Sequence, residues 1–190
     1  MRVLGLAGSP RRNGNTDKLL AEVLRGASNN GAELKTIVLS QLNIAPCESC
    51  DDCFTAGICK IDDDMQDVYK ELMLADRIVL ASPLHFMGLT AQAKVMVDRC
   101  QSLWAKKYKL HIPPLGDEKI RKGIFVSVGG QRLPNLFQPA IATVKALFIS
   151  LDIEYAGELV FSGIDKAGNI SLEPGALGKA YLAGQKLTEN

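Results

Sequence analysis

Four of the five cysteines of this 190-residue chain fall within thirteen positions, in the run Cys47-Glu48-Ser49-Cys50-Asp51-Asp52-Cys53 followed by Cys59. Thiolates spaced C-x2-C-x2-C converge on one centre, because a backbone curling round that centre returns a side chain to it about every third residue. A fourth thiol close behind completes a four-thiolate set. That chemistry is iron–sulfur ligation, with a [4Fe-4S] cluster the leading assignment for Cys47, Cys50, Cys53 and Cys59. Zinc is the rival, although structural zinc sites usually draw on two separated C-x2–4-C or C…H pairs rather than four thiolates in one run. Two disulfides are the least favoured reading, since a chain of this size buries a core without covalent staples.

A second constellation lies near the N-terminus. Val3 to Ala7 is an apolar run closed by Gly8, which suits a strand buried on both faces of a parallel sheet. The polar run Gly8-Ser9-Pro10-Arg11-Arg12-Asn13-Gly14-Asn15-Thr16 follows, and then a helical stripe of Leu19, Leu20, Val23 and Leu24. Strand, polar glycine loop and helix in that order bring N–H groups, hydroxyls and a positive helix end to one point, which makes a phosphate site. Ser9, Asn13, Asn15 and Thr16 are the candidate donors and Arg11 the candidate charge, with an ordinary βα connection as the alternative. No Lys follows Gly14, so the run is not the G-x-x-x-x-G-K-[ST] nucleotide loop, and it lacks the G-x-G-x-x-G fingerprint.

The elements that must position these groups read as alternating strands and helices. Further strands are expected at Glu33 to Leu39, Arg77 to Ala81, Ile124 to Val128 and around Leu159 to Phe161. Asp63, with Gln66 three residues on, is the expected N-cap of a helix after the cysteine run, a role favoured over metal binding for Asp62-Asp63-Asp64. Thr90 is expected to cap a helix reaching Arg99 and carrying Val95 and Val97. Leu136 to Leu151 is helical if Pro139 sits in the first turn or marks a kink, and Gly175 to Lys186 forms the last helix. Leu110 to Lys122 is expected to be an exposed connection. This alternation predicts an α/β fold, a doubly wound parallel sheet with helices on both faces, within a single domain over residues 1–190. Ligands in such sheets bind beyond the carboxyl ends of the strands. The loops Ser9 to Thr16, Ser82 to Gly88 and Gly129 to Arg132, and the cysteine run, all leave that edge.

Composition narrows the classes. With 47% hydrophobic and 23% charged residues the chain is an ordinary globule. Its 22 basic against 21 acidic residues provide no net field for nucleic acid or an anionic membrane. The apolar start is too short for a signal-peptide core or a membrane span, so the protein is expected in the cytoplasm, where thiols stay reduced. Cys100 reads as a buried small hydrophobe. Of the two histidines, His85 and His111, His85 is the weak candidate for a proton donor or ligand contact. Trp104 and Tyr108 read either as partner-facing aromatics or as a cap on the core.

On these motifs the chain resembles the flavodoxin-like NAD(P)H-dependent FMN reductases, and among them the iron–sulfur flavoproteins. Gly8-Ser9-Pro10-Arg11, Asn13, Gly14-Asn15-Thr16 correspond to that family's FMN-phosphate loop, and Cys47, Cys50, Cys53 and Cys59 to its compact cluster motif. Ser82-Pro83 through Lys94, with Asp98-Arg99, correspond to its flavin-contacting loop and helix. The family often carries Tyr at the position of His85. The resemblance implies strand order 2-1-3-4-5, bound FMN, a [4Fe-4S] cluster and a homodimer or homotetramer. It places the flavin ring among Ser82, Pro83, Leu84, His85, Phe86 and Gly88 on one side and Ser127, Gly129, Gly130 and Gln131 on the other.

Three functions follow for testing. The first is an electron-transfer flavoprotein with the cluster as entry for electrons from a one-electron carrier such as ferredoxin, and FMN as exit to the acceptor. The second is an NAD(P)H-dependent flavin or quinone reductase without a functional cluster. The third is a non-enzymatic protein using the cysteines as a structural zinc knob. In the first, Gly57 and its neighbours are expected to offer N–H donors to the cluster sulfurs, while Asp51 and Asp52 lower its potential. The apolar Leu84 to Met87 stretch and the Trp104 to Tyr108 segment are expected to form the oligomer contact.

Overall fold

In the computed structural model, which describes residues 1–112 and 120–189, five parallel strands form one sheet. They are β1 (Arg2–Ala7), β2 (Glu33–Val38), β3 (Arg77–Ala81), β4 (Lys122–Gly129) and β5 (Glu154–Ser162), in the spatial order β2-β1-β3-β4-β5. This is the flavodoxin-like order 2-1-3-4-5. The helices are α1 (Asn15–Asn29), α2 (Cys53–Ala56), α3 (Met65–Leu74), α4 (Ala91–Arg99), α5 (Gln101–Tyr108), α6 (Gln138–Ser150) and α7 (Ala176–Leu187).

The interior strands β1, β3 and β4 are apolar except for Arg2, Arg77, Lys122 and Ser127, because both faces are covered. Side chains alternate across the pleat, so neighbours in sequence enter different cores. Leu4, Leu6, Ile78, Leu80 and Phe125 join α3, α4 and α6 on one face. Val3, Ala7, Val79, Ile124, Val126 and Val128 join α1 and α7 on the other. The α1 stripe of Leu19, Leu20, Val23 and Leu24 is buried as its spacing requires. Each such side chain contributes roughly 1.5–3 kcal/mol, enough to fix a helix that is marginal alone. Helices α1 and α7 approach until their backbones touch. A Cβ on Gly26 would meet the Tyr181 carbonyl oxygen at 2.0 Å, and one on Gly184 the Val23 carbonyl oxygen at 1.9 Å.

The first-turn place expected for Pro139 is found, and other sequence expectations are corrected. Pro139 is the second residue of α6, where its missing N–H has no intrahelical acceptor to lose. The buried side chains of α4 are Ala93, Met96 and Arg99, whereas Val95 and Val97 are half-buried. Of the connection expected from Leu110 to Lys122, residues 113–119 lie outside the described residues. Arg121, expected to be exposed, is buried, and its guanidinium donates to the carbonyls of Leu72, Ala75 and Leu151. It thereby satisfies carbonyls at the ends of α3 and α6, which have no acceptor role inside their own helices.

Candidate functional site

The first site grows from the end of β1. The Gly8 N–H bonds the Ala81 carbonyl at 2.7 Å, and the Thr90 hydroxyl donates to the Gly8 carbonyl, so the β1 and β3 exits are tied together. Thr90 also caps α4 as expected, accepting from the Ala93 N–H at 3.3 Å. Gly14 sits at the N-cap of α1 and has no side-chain oxygen to offer. The first N–H groups of α1 are therefore left for an external acceptor, at the positive end of a fifteen-residue helix. A cavity of about 310 Å³ opens there, lined by Ser9, Arg11, Asn15, Thr16, Pro83, Leu84, His85 and Gly130 among others. Thr16 makes no side-chain hydrogen bond to any described residue. Ser9, in contrast, turns its hydroxyl onto the Arg11 carbonyl at 2.9 Å and accepts the Arg11 N–H.

Asn15 does not present its amide to the cavity. Its Nδ2 donates to the Lys166 carbonyl at 2.9 Å and its Oδ1 accepts the Ile170 N–H at 3.2 Å, which ties α1 to the connection between β5 and α7. Asn13 is exposed with a positive φ, and its N–H is held by Asp17 at 2.8 Å. The loop after β5, not singled out in the sequence, contributes Ile164 and Asp165 to the cavity wall. The rule that ligands meet the loops after parallel strands would have found it, had it been applied to the fifth strand as to the others.

A second cavity of about 680 Å³ adjoins the first and shares Leu84, His85 and Gly130 with it; Phe86, Met87, Gly129, Gln131 and Leu136 complete it. His85 and Gly88 exchange backbone hydrogen bonds of 3.1 and 3.0 Å around Phe86 and Met87, both of which have positive φ. That two-residue turn normally takes Asn-Gly. Two bulky residues in it store strain of the kind that marks ligand sites. Phe86 is wholly exposed at the cavity mouth. Three expected ring contacts lie elsewhere. Ser82 is buried, donating to the Pro83 carbonyl and accepting the Thr90 N–H. Gly88 lines neither cavity. Ser127 is also fully buried, on the Phe125 face of β4, with no partner for its hydroxyl among the described residues.

The cysteine loop leaves the end of β2 and is held at both ends by one ion pair. Arg99, the last residue of α4, donates through Nη1 to the Ala45 carbonyl at 2.8 Å and to Asp63 at 2.6 Å. Its Nη2 reaches the Ile61 carbonyl at 3.2 Å and the other Asp63 oxygen at 3.1 Å. Asp63 in turn accepts the N–H groups of Ala45 and Met65. Burial works to raise its carboxyl, but Arg99 and these N–H groups outweigh it and hold the group below the ordinary carboxylate range. The expected capping box is thus replaced. Asp64 takes the N-cap position of α3, and Gln66 donates to the Ile61 and Cys59 carbonyls instead of reaching back to the cap. Arg99 likewise belongs to the cysteine loop and not to a flavin helix face, while Lys94 and Asp98 pair with each other on the surface.

Inside the loop the backbone is irregular, with positive φ at Ser49, Asp51 and Gly57. The short helix α2 rests on α5: Phe54 lies 6.1 Å from Trp104, which lies 5.5 Å from Tyr108. Trp104 therefore supports the cysteine loop, which sequence alone left as a partner contact or core cap. The Gly57 N–H, expected to be available for a cluster, closes α2 on the Cys53 carbonyl at 2.9 Å. Asp52 is paired with Lys60 at 2.7 Å, which offsets part of its charge. Cys47, Cys50, Cys53 and Cys59 are all free thiols and line one small cavity together with Arg99 and Ser102. Burial raises the Cys53 thiol, and the other three cysteines add to the effect. Among the described residues no three His, Cys, Asp or Glu stand close enough to hold a metal ion, so the thiols share a cavity without adopting ligand geometry. Cys100 is separate: buried against Met96, its thiol is pushed up to about 12 by desolvation.

Chemically, the first cavity can take a phosphate monoester and the second a flat apolar ring, while the third gathers four free thiols. Helix α4 links them. It starts three residues after Gly88 closes the Phe86–Met87 turn and ends at Arg99, about 13 Å away at the usual helical rise.

Compared with known proteins, residues 1–133 match the family model described as NADPH-dependent FMN reductase. The chain is 35% identical over 132 residues to an iron–sulfur flavoprotein of Methanosarcina thermophila, covering 70% of this chain and 65% of that protein. It is 33% identical over 150 residues to one from Methanocaldococcus jannaschii, covering 78% and 71%. A solved flavone reductase superposes with a TM-score of 0.73 at 22% identity, over 99% of this chain and 62% of that one, a likeness of fold. The matched part of the chain spans between about half and two thirds of the length of several of its curated relatives.

Proposed function

The chain belongs to the NADPH-dependent FMN reductase family, among the iron–sulfur flavoproteins, and from that membership we propose an FMN-dependent oxidoreductase that joins one-electron and two-electron chemistry. In this reading the phosphate of FMN lies at the Ser9 to Thr16 loop and its ring in the cavity formed by Leu84 to Met87 and Gly129 to Gln131. A [4Fe-4S] cluster is held by Cys47, Cys50, Cys53 and Cys59. FMN stores one or two electrons, the cluster moves one at a time, and together they connect a carrier such as ferredoxin to a two-electron acceptor.

The observation that carries the reading is that four free cysteines line one cavity at the same sheet edge as an uncapped helix N-terminus. Thr16 and the first N–H groups of α1 hold the phosphate, and Arg11 adds charge from the solvent side. These are charge-assisted bonds, stronger than neutral ones. Leu84, Leu136 and the Phe86–Met87 turn wall the ring cavity with apolar surface. His85, which lines both cavities, can hydrogen-bond the ring or hold a proton beside it. Exposed Phe86 is the strongest candidate contact of a homodimer or homotetramer. No described helix is long and apolar enough to cross a membrane, and the four reduced thiols suit the cytoplasm.

A second reading, an NAD(P)H-dependent FMN or quinone reductase without a working cluster, draws on the family's description and on the open ring cavity. Anaerobic purification followed by iron, sulfide and FMN quantitation separates the two. Four irons, four sulfides and one FMN per chain support the first. FMN without sulfide overturns it in favour of the second.

A further inference from the structure

We propose that the Nε–H of Arg99 donates a hydrogen bond to sulfur in the cysteine cavity, and that this buried guanidinium sets the potential of the cluster. The inference rests on the cluster assignment of the preceding section and adds a residue to it.

Arg99 is 1% exposed and among the largest fully buried side chains. Its Nη groups are engaged by Ala45, Ile61 and Asp63, but its Nε is buried with no partner among the described residues. An unmade bond at a buried charged donor is costly, so the position calls for an acceptor. Arg99 lines the cavity shared by the four thiols, where sulfur is that acceptor. Backbone donors near Cys53 are already used: the N–H groups of Phe54, Thr55, Ala56 and Gly57 all close turns of α2. When the cluster accepts one electron from a one-electron donor, its negative charge rises by one unit and no proton moves. The guanidinium stays protonated in both states. Its bond to sulfur is stronger in the reduced state, so it raises the potential.

The test uses the anaerobically loaded protein and the variants Asp63→Asn and Asp63→Asn/Arg99→Gln, the latter removing one charge of each sign. Redox titration followed by low-temperature electron paramagnetic resonance reads the cluster. The double variant should shift the oxidised-to-reduced ratio about tenfold toward oxidised at a fixed potential, which is about 59 mV for one electron. Asp63→Asn alone, which keeps Arg99, should show no such shift. A double variant within twofold of the parent, or an equal fall in both variants, reduces Arg99 to a clamp and overturns the proposal. Parent protein labelled with [15Nε]arginine keeps the question decidable if the double variant loses its iron. Coupling of that nitrogen to the reduced cluster is expected, since Arg99 is the one arginine lining the cavity among the described residues. A loaded parent without coupling refutes this proposal alone. A parent without iron and sulfide refutes the cluster assignment, and this proposal with it.

Discussion

The loop after β1 and the loop after β2 leave the same edge of the sheet, but the first is shaped by backbone and the second by side chains. At Ser9 to Thr16 a strand end, a glycine N-cap and a helix dipole converge because the fold requires them to, and the proposed anion site follows from the element order. At Cys47 to Cys59 no regular element longer than four residues intervenes, and a single ion pair between Arg99 and Asp63 joins the two ends. A parallel sheet can therefore supply a phosphate site with little dedicated sequence, whereas a compact thiol loop must be tied to the sheet by residues distant from it.

The sharpest way to break the contrast is to cut that tie. Asp63→Ala leaves a guanidinium that is fully buried without its counter-ion, and such a loss costs roughly 3–5 kcal/mol. Thermal unfolding should fall accordingly, and proteolysis should cut within 45–61 first. The same pair makes a pH prediction. The Asp63 carboxyl is held below its unfolded value of about 3.9. Its contribution is thus complete above that pH and lost as the pH falls through the lower folded value. Urea midpoints taken from pH 7 to 3 should drop more steeply in the parent than in Asp63→Asn.

A smaller effect tests the backbone-built site. Thr16→Val removes a hydroxyl with no partner among the described residues, so it should weaken FMN binding about tenfold or more, as expected for one bond to a charged group, with little change in stability. Asn15→Ala should do the reverse, costing roughly 1–3 kcal/mol of stability because the Lys166 carbonyl and Ile170 N–H lose their partner. Equal effects of the two variants on FMN affinity would erase the distinction drawn here. The smallest change expected is for Lys94→Ala. Its half-exposed pair with Asp98 should contribute about 0.5 kcal/mol or less, and neither site should notice its loss.

What the sequence made legible follows the same division. The bounds of β1 and β3, the α1 stripe, the Thr90 cap and the placement of four loops at one edge all arise from local periodicity and chain order. The four cysteines declare themselves by spacing. The Arg99–Asp63 clamp does not, because its partners are 36 residues apart and Asp63 alone looks like a helix cap. Asn15 misleads for a similar reason: its amide is consumed 151 and 155 residues downstream. The Phe86–Met87 turn is opaque because its residues contradict the turn they adopt, and α2 because four residues are too few to show a period.

The central claim is that the thiol loop feeds electrons to a flavin held elsewhere, and one kinetic measurement bears on it directly. Cys59→Ala should lose the cluster yet retain FMN, since the phosphate loop does not touch the cysteine loop in sequence or lining. Flavin reduction in this variant and in the parent is followed by stopped flow under anaerobic conditions, with a one-electron donor and with NAD(P)H in parallel. The account predicts that the variant is reduced by the one-electron donor far more slowly than the parent, while its rate with NAD(P)H is unchanged. A variant that keeps FMN and is reduced by the one-electron donor as fast as the parent contradicts the relay and leaves the flavin-reductase reading in its place.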